Sequence, residues 1–277
     1  MCYCFRVNKD NILQSITRTF FFLFMLTLVA YSSSLSIQLK REEQKKKIET
    51  EKKIYLTGRF EPSEREDFVL VSPENAFGAN NMYLRKETYE AFIQMRQAAK
   101  VDGVDLKIAS ATRNFDYQKN IWDEKWAEAE LETSGKKENA QGIPDGLRRF
   151  KKILEFNAAP GTSRHHWGTD LDINRINPLY AGGAKDGIER EKIYTWLVKN
   201  ASLFGFCQTY TPKNTARKTG YNEERWHWSY TPLSKIFMKE YKILIKNEDI
   251  KGFLGDEFVP AYDLVDNYVL AINPDCI

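Results

Sequence analysis

The chain has 277 residues, of which 42% are hydrophobic and 29% are charged, and its formal net charge is +3. This is the composition of a globular protein with one large domain or two small ones, and the charge is too small to indicate a nucleic-acid partner. The sequence contains no repeat of fixed period and no glycine-rich phosphate loop, which argues against repeat architectures and P-loop nucleotide binding.

The N-terminal segment has the sequence pattern of an export signal. Residues 20–31 are apolar without a break, and Arg6, Lys9 and Arg18 precede them. This pattern is typical of a signal peptide or an uncleaved signal anchor within 1–39, and both remain open. The alternative is a buried core helix. We expect the domain that follows to be exported, and to be attached to the membrane if the segment is not cleaved.

A charged segment and a folded region come next. Residues 40–53 are nearly devoid of apolar side chains, which predicts a solvated linker or a short stalk helix. The folded domain is expected over 54–247. Phe253, Phe258 and Tyr268 lie in the remaining residues 248–277, which we expect to pack on the domain as a C-terminal extension.

Helical and strand patterns alternate irregularly through the domain. Helices are predicted over 82–100, after Phe115, over 189–204 with Gly205 as the stop, and over 233–246, and strands over 105–111, 170–174 and 206–210. Residues 128–160 are polar and predicted irregular. The fold class is therefore α+β, with a small antiparallel sheet flanked by helices and preceded by the N-terminal membrane or signal segment.

The four cysteines are Cys2, Cys4, Cys207 and Cys276. They contain no C-x-x-C pair, which argues against a zinc ribbon or a thiol redox motif. Cys207 and Cys276 could form a disulfide if the chain is exported, or they could be two unpaired small apolar residues.

All three histidines of the chain fall in two short stretches, "SRHHWGTDLDI" at 163–173 and "EERWHW" at 223–228. A catalytic zinc site needs three protein ligands and one open position, and His165, Asp172 and His227 could provide the ligands. Each histidine taken alone is more commonly a packing or surface residue. Their clustering beside acidic residues is what favours a metal site.

The "DLDI" strand predicts which side chains face the metal. Successive side chains in a strand alternate between faces, so Leu171 and Ile173 should point into the core, and Asp170 and Asp172 into a cleft. Glu224 stands three residues before His227, so a turn or bulge must bring its carboxylate to the same cleft. In that place it could take and return a proton.

Three motifs carry a family resemblance. "SRHHWGTDLD" resembles the Ser-x-His-x-x-Gly-x-Ala-x-Asp signature of zinc D-Ala-D-Ala carboxypeptidases of the vancomycin-resistance type, and "ERWH" is similar to their Glu-x-Trp-His signature. "SATRNFDYQ" at 110–118 resembles the Ser-Gly-Tyr-Arg-Ser-x-x-x-Gln stretch that precedes them. The motifs occur in the family's order, and the resemblance covers roughly residues 75–240.

The resemblance implies a role for each matching residue. The zinc ligands would be His165, Asp172 and His227. Glu224 would be the catalytic base and acid, and Arg113 would stabilise the oxyanion with a guanidinium that stays charged. Gln118 and Ser163 would bind the substrate, and His166 would form a wall of the cleft.

Asp170 departs from the signature, which has alanine there. The carboxylate could accept a hydrogen bond from a histidine and orient it, could favour a substrate amine, or could be a partly solvated acid at the strand end. Ala111 and Thr112 stand where glycine and tyrosine are common.

The reaction implied is removal of the terminal D-alanine from the peptidoglycan stem peptide by a zinc enzyme, in the periplasm or on the outer face of the cytoplasmic membrane. We expect the protein to be a monomer. The same family includes L,D-carboxypeptidases, D,D-dipeptidases and endopeptidases, which remain alternatives. A wall-binding module without catalysis is a further alternative. Residues 128–160 and the loop 211–220 could close one end of the groove, or they could be solvated loops.

Overall fold

The computed structural model describes residues 9–78, 81–135, 145–174 and 184–277. The chain divides into two compact units, Met1–Glu51 and Lys52–Ile277.

The first helix, α1, runs over Lys9–Leu56 and therefore includes the charged residues 40–53. Within the described part of the chain, no helix combines the length and the apolar character that a membrane crossing requires. Most side chains of the predicted signal or anchor segment, residues 1–39, lie outside what the structure describes. Export and membrane attachment therefore stay predictions.

The second unit mixes helices with two small antiparallel sheets. The strands are β1 Phe68–Leu70, β2 Tyr83–Arg85, β3 Ile108–Ser110, β4 Asp170–Ile173, β5 Phe206–Tyr210 and β6 Glu224–Tyr230. The helices are α2 Lys86–Val101, α3 Phe115–Gly135, α4 Asp145–Ile153, α5 Ala184–Asn200, α6 Thr231–Leu244 and α7 Val259–Tyr262. β1 pairs with β2, and the four-stranded sheet has the order β3-β4-β6-β5. The predicted α+β class with a small antiparallel sheet is confirmed.

The two faces of β4 differ as the alternation predicts. Leu171 and Ile173 are fully buried in an apolar core that also contains Phe92 and Met95 of α2. Asp172 pairs with His227 across β4 and β6, so these two side chains share the opposite face of the sheet. The sheet therefore separates an apolar core from a polar site.

Two predictions of secondary structure were wrong. Residues 83–85, predicted as the start of a helix, form β2, because pairing with β1 buries Leu84 completely. The predicted irregular segment 128–160 contains the end of α3 and all of α4. Phe150 of α4 packs edge-on against Trp122 of α3 at 5.3 Å between ring centroids, so tertiary packing stabilises a helix that composition alone does not reveal.

The C-terminal residues are folded against the rest of the second unit. Phe253, Val259 and Leu264 are buried in the core that contains Trp122, and the Trp122 indole donates to the carbonyl of Leu254 at 2.8 Å. A disulfide joins Cys207 of β5 to Cys276, so the bonded alternative holds for this pair.

Candidate metal centre

Three local structures bring the histidines and Asp172 together. Asp172 and His227 are directly opposed on β4 and β6. His165 lies in a 3-10 turn over Arg164–Trp167, which ends at Gly168 with a φ of 72°. Glycine is favoured there because the backbone is left-handed, and an added Cβ would lie 2.5 Å from the Phe68 ring. The turn directs the chain from His165 back into β4.

The ligand-type atoms of His165, Asp172 and His227 all lie within 4.8 Å of one another. Asp172 Oδ1 is 3.3 Å from His165 Nε2 and 3.6 Å from His227 Nδ1. Although these are ion-pair distances, His165 Nε2 and Asp172 Oδ1 are buried and have no hydrogen-bond partner. Buried polar atoms without partners are costly, so this arrangement suits an ion bound between them.

His165 is held by the backbone. It is fully buried, and its Nδ1 lies 2.8 Å from the carbonyl oxygen of Ala111. Because a carbonyl only accepts, Nδ1 donates and Nε2 keeps its lone pair toward Asp172. Burial, together with the nearby charge of Arg113, lowers the pKa of His165 to about 4. The ring is therefore neutral at pH 7, as a metal ligand must be.

His227 is held by carboxylates. Its Nε2 lies 3.1 Å from Asp170 Oδ1, and its Nδ1 lies 3.3 Å from Glu224 Oε2. Burial alone would lower the pKa of His227, but the hydrogen bonds with Asp170 and Glu224 outweigh it and raise the pKa to about 9. Without a metal, His227 is thus protonated at neutral pH.

Glu224 reaches the site through a bulge in β6. Gln208 pairs with Trp228, whereas Tyr210 pairs with Glu224, so β6 uses four residues where β5 uses two. The irregularity that the sequence requires between Glu224 and His227 is confirmed. Glu224 is buried, and desolvation raises the pKa of its carboxyl against the opposing hydrogen bond from His227.

Arg113 lies beside the cluster. Its backbone N–H donates to the carbonyl of His165 at 3.3 Å, and its charge helps to lower the pKa values of His165 and Asp172. The Nε atom of Arg113 is buried and has no hydrogen-bond partner within the described chain. A guanidinium N–H in this situation is available to an oxygen of a bound molecule.

His166 is not placed to be a ligand. Its Nδ1 donates to the carbonyl of Arg113 at 2.6 Å, and its Nε2 accepts from the N–H of Gly161 at 3.0 Å. Both ring nitrogens are thus occupied by backbone groups. The ring fixes the backbone of Arg113, which explains why a second histidine follows His165.

Gln118 and Ser163 are both buried, at 1% and 2% exposure. Gln118 donates from Nε2 to the carbonyl of Ala158 at 2.8 Å, and its Oε1 is left without a partner. The Ser163 hydroxyl does not cap the turn that it precedes. Across the described residues, no side-chain hydrogen bond or ion pair joins either residue to the His–Asp–His cluster, so their substrate-binding function stays a prediction.

The basic loop 211–220 is not solvated throughout. Arg217 is buried, and its guanidinium donates to the carbonyls of Thr211, Thr219 and Tyr221. These bonds use the two terminal nitrogens of the guanidinium, whereas its buried Nε has no hydrogen-bond partner within the described chain.

Sequence reasoning missed the buried partners of Asp170. Arg164 donates from Nε to Asp170 Oδ1 at 3.0 Å, and Ser229 donates to Asp170 Oδ2 at 3.0 Å. The antiparallel pairing of Asp172 with His227, which was not predicted from the sequence, places Ser229 opposite Asp170. Nothing in the sequence marks Arg164, which looks like an exposed cation in a turn.

Fold and site together define an α+β protein in which a His–Asp–His cluster adjoins a buried glutamate and an arginine. Residues 81–233, more than half of the chain, match the model of the VanY family, described as D-alanyl-D-alanine carboxypeptidase. The chain belongs to this family.

Two curated relatives match over part of their length. The "Putative carboxypeptidase YodJ" of Bacillus subtilis (strain 168) is 31% identical over 187 residues, which cover 65% of this chain and 57% of that protein. A "D-alanyl-D-alanine carboxypeptidase" of Enterococcus faecalis is 34% identical over 135 residues, covering 48% of this chain and 42% of that protein. The chain thus spans about half the length of these relatives.

Solved structures also resemble the chain. VanYB in complex with D-alanine-D-alanine is 25% identical and covers 69% of this chain and 96% of that one, with a TM-score of 0.43. The LdcB LD-carboxypeptidase is 27% identical and covers 68% of this chain and 81% of that one, with a TM-score of 0.45.

Proposed function

We propose that the protein is a zinc-dependent D-alanyl-D-alanine carboxypeptidase that removes the terminal D-alanine from peptidoglycan stem peptides. The observation that carries this proposal is the convergence of three ligand-type side chains with a buried glutamate: Glu224 Oε2 lies 3.3 Å from His227 Nδ1. Membership of the VanY family supports the choice of substrate.

The donor set fits zinc. Two imidazole nitrogens and one carboxylate oxygen are a common protein ligand set for this ion, and tetrahedral ligands about 2.0–2.2 Å from zinc lie roughly 3.3–3.6 Å from each other. The separation of 3.3 Å between His165 Nε2 and Asp172 Oδ1 agrees with that spacing. When bound, zinc would polarise the substrate carbonyl and lower the pKa of water toward about 7.

Glu224 would move the proton. Its carboxylate takes the proton from the attacking water and gives it to the departing amine of D-alanine, which needs a base of modest strength held against the reacting atoms. Burial of Glu224 raises the pKa of its carboxyl, so it is better able to carry that proton between the two steps.

Arg113 would stabilise the negative charge that develops on the scissile carbonyl oxygen. Its buried Nε–H has no partner in the protein, so the substrate oxygen would satisfy it. Gln118 Oε1 is a second orphan atom, and as an acceptor it suits an N–H of the peptide. Ser163, whose hydroxyl can donate or accept, would be a further substrate-binding group.

The reaction would take place outside the cytoplasmic membrane, in the periplasm or on the outer face, where the stem peptide lies. The disulfide between Cys207 and Cys276 supports an oxidising compartment. The apolar residues 20–31 support export, with membrane attachment if they are retained. Action as a monomer stays a prediction.

The experiment is to incubate the purified chain with a pentapeptide stem and a tetrapeptide stem, with and without a chelator, and to weigh the products by mass spectrometry. Loss of one alanine from the pentapeptide, abolished by chelator and restored by zinc, is the expected result. Cleavage of the tetrapeptide alone would make the protein an L,D-carboxypeptidase. Internal cleavage would make it an endopeptidase, and no cleavage by a zinc-loaded chain would leave a binding module.

A further inference from the structure

A buried ionic network lies behind the metal centre, centred on the carboxylate of Asp170. Arg164, Thr169, Asp170 and Ser229 are each at most 1% exposed, and we call them the Asp170 cluster. Asp170 Oδ1 accepts from Arg164 Nε at 3.0 Å, and Oδ2 accepts from the hydroxyls of Thr169 at 2.7 Å and Ser229 at 3.0 Å.

The network contains its own charge balance. Arg164 stacks over the Trp167 ring with its guanidinium carbon 4.5 Å from the centroid, and it also donates to the Ser229 hydroxyl at 2.9 Å. Because a buried carboxylate is stable only when paired and hydrogen-bonded, Arg164 is what allows Asp170 to be an anion in the protein interior. Asp170 is thus an acceptor only.

One further donor reaches Asp170, and it comes from the metal centre. His227 Nε2 lies 3.1 Å from Asp170 Oδ1, the same oxygen that Arg164 contacts. Since an ionised carboxylate cannot donate, His227 must donate from Nε2, which turns Nδ1 toward Asp172 and Glu224. A hydrogen bond at one imidazole nitrogen fixes the tautomer and ring direction of the other.

The family signature has alanine at this position, and a methyl group offers no acceptor. We propose that Asp170 is a positioning residue, which together with its counter-ion Arg164 holds His227 with Nδ1 directed at the zinc ion. The inference rests on the proposed zinc site. It assigns to this chain a charged support for one ligand that the signature alone does not provide.

The test measures zinc affinity, not turnover, by competition with a chromophoric chelator on the purified chain. Asp170→Ala should weaken zinc binding by about 10- to 100-fold, the usual effect of removing an acceptor behind a metal ligand. Asp170→Asn keeps an acceptor oxygen and should lose less. Thr169→Val is the matched control, because it removes a donor to Asp170 but leaves the contact with His227, and its affinity should stay within about threefold.

A second readout separates positioning from general damage. Cobalt(II) replaces zinc in such sites and absorbs visible light according to its ligand geometry, so Asp170→Ala should change the cobalt spectrum and Thr169→Val should not. If Asp170→Ala does not fold because Arg164 is left unpaired, the double variant Arg164→Met with Asp170→Ala removes both charges. The same loss of affinity is expected from it.

The outcomes are distinguishable. A folded Asp170→Ala or double variant with wild-type zinc affinity and cobalt spectrum would overturn the inference while leaving the proposed function intact. A wild-type chain that binds no zinc would refute the proposed function, and this inference with it. A loss as large in Thr169→Val would show that the cluster merely stabilises the fold.

Discussion

The two histidines of the candidate metal centre, His165 and His227, are supported by partners of different kinds. His165 donates to the backbone carbonyl of Ala111, whereas His227 donates to the buried carboxylate of Asp170. The backbone carbonyl is present whatever side chain occupies position 111. The carboxylate is present only because residue 170 is an aspartate, and its buried charge is paired with Arg164. A single substitution at Asp170 can therefore remove the hydrogen-bond acceptor of His227. The acceptor of His165 belongs to the backbone, so side-chain substitutions do not remove it.

Loss of the Glu224 charge should have the largest effect. Glu224 lies 3.3 Å from His227 Nδ1. Glu224→Gln removes the proton carrier but none of the three ligands, so kcat should fall by about 10²- to 10⁴-fold while zinc is retained. Turnover of the pentapeptide stem and metal content check this.

Its neighbour offers the control. Glu223 contacts Arg225 at 3.4 Å, so Glu223→Gln should keep kcat within about twofold. Normal turnover by a zinc-loaded Glu224→Gln chain would exclude Glu224 as the base.

The comparison also predicts how zinc affinity depends on pH. The pKa of His165 is lowered to about 4 by burial and Arg113, so zinc displaces no proton from it at pH 7. The pKa of His227 is raised to about 9, because hydrogen bonds with Asp170 and Glu224 outweigh its burial. Zinc must displace that one proton, so affinity should rise about tenfold per pH unit from pH 7 and level off near pH 9.

The stability of the metal-free chain depends on pH in the opposite direction: the contribution of His227 falls as pH rises. A raised pKa stabilises the fold fully below the ordinary histidine value of 6.5 and ceases to do so as pH rises through about 9. Calorimetric titration with zinc in buffers of different ionisation enthalpy counts the protons released. One proton released per zinc ion at pH 7 is expected. Release of no proton, or of two, would contradict the prediction that only His227 is protonated there.

The smallest effect is expected on the His165 side. Ala111→Gly introduces the common family residue and keeps the carbonyl that holds His165. It removes a buried methyl and adds backbone freedom, so the free energy of unfolding should fall by about 1 kcal/mol. Zinc affinity should stay within about twofold. Thermal unfolding measures the stability, and chelator competition measures the zinc affinity. A loss of zinc affinity as large as that of Asp170→Ala would contradict the expected difference between the two histidines.

Local rules predicted the polar edge of the sheet well. The alternation of apolar and acidic residues in β4 fixes which face each takes, and the odd spacing of Glu224 and His227 requires the bulge that β6 contains. These features depend on neighbours within a few residues, which is where sequence patterns are informative.

Features that depend on distant partners were not predictable. Asp170 could have been a solvated acid, and only the approach of Arg164 and Ser229 makes it a buried anion. The α4 helix has a polar composition and is stabilised by Phe150 packing on Trp122. In both cases the free energy comes from contacts between residues far apart in the chain, so the local sequence carries little sign of them.

The disulfide between Cys207 and Cys276 should stabilise the metal-free protein. The two cysteines are 69 residues apart, and β6, with Glu224 and His227, lies inside the loop that they close. Such a cross-link restricts the unfolded chain by an amount worth about 4 kcal/mol. The oxidised disulfide tethers β6 within the fold, so under the proposed function the metal-free protein should stay folded and able to bind zinc later.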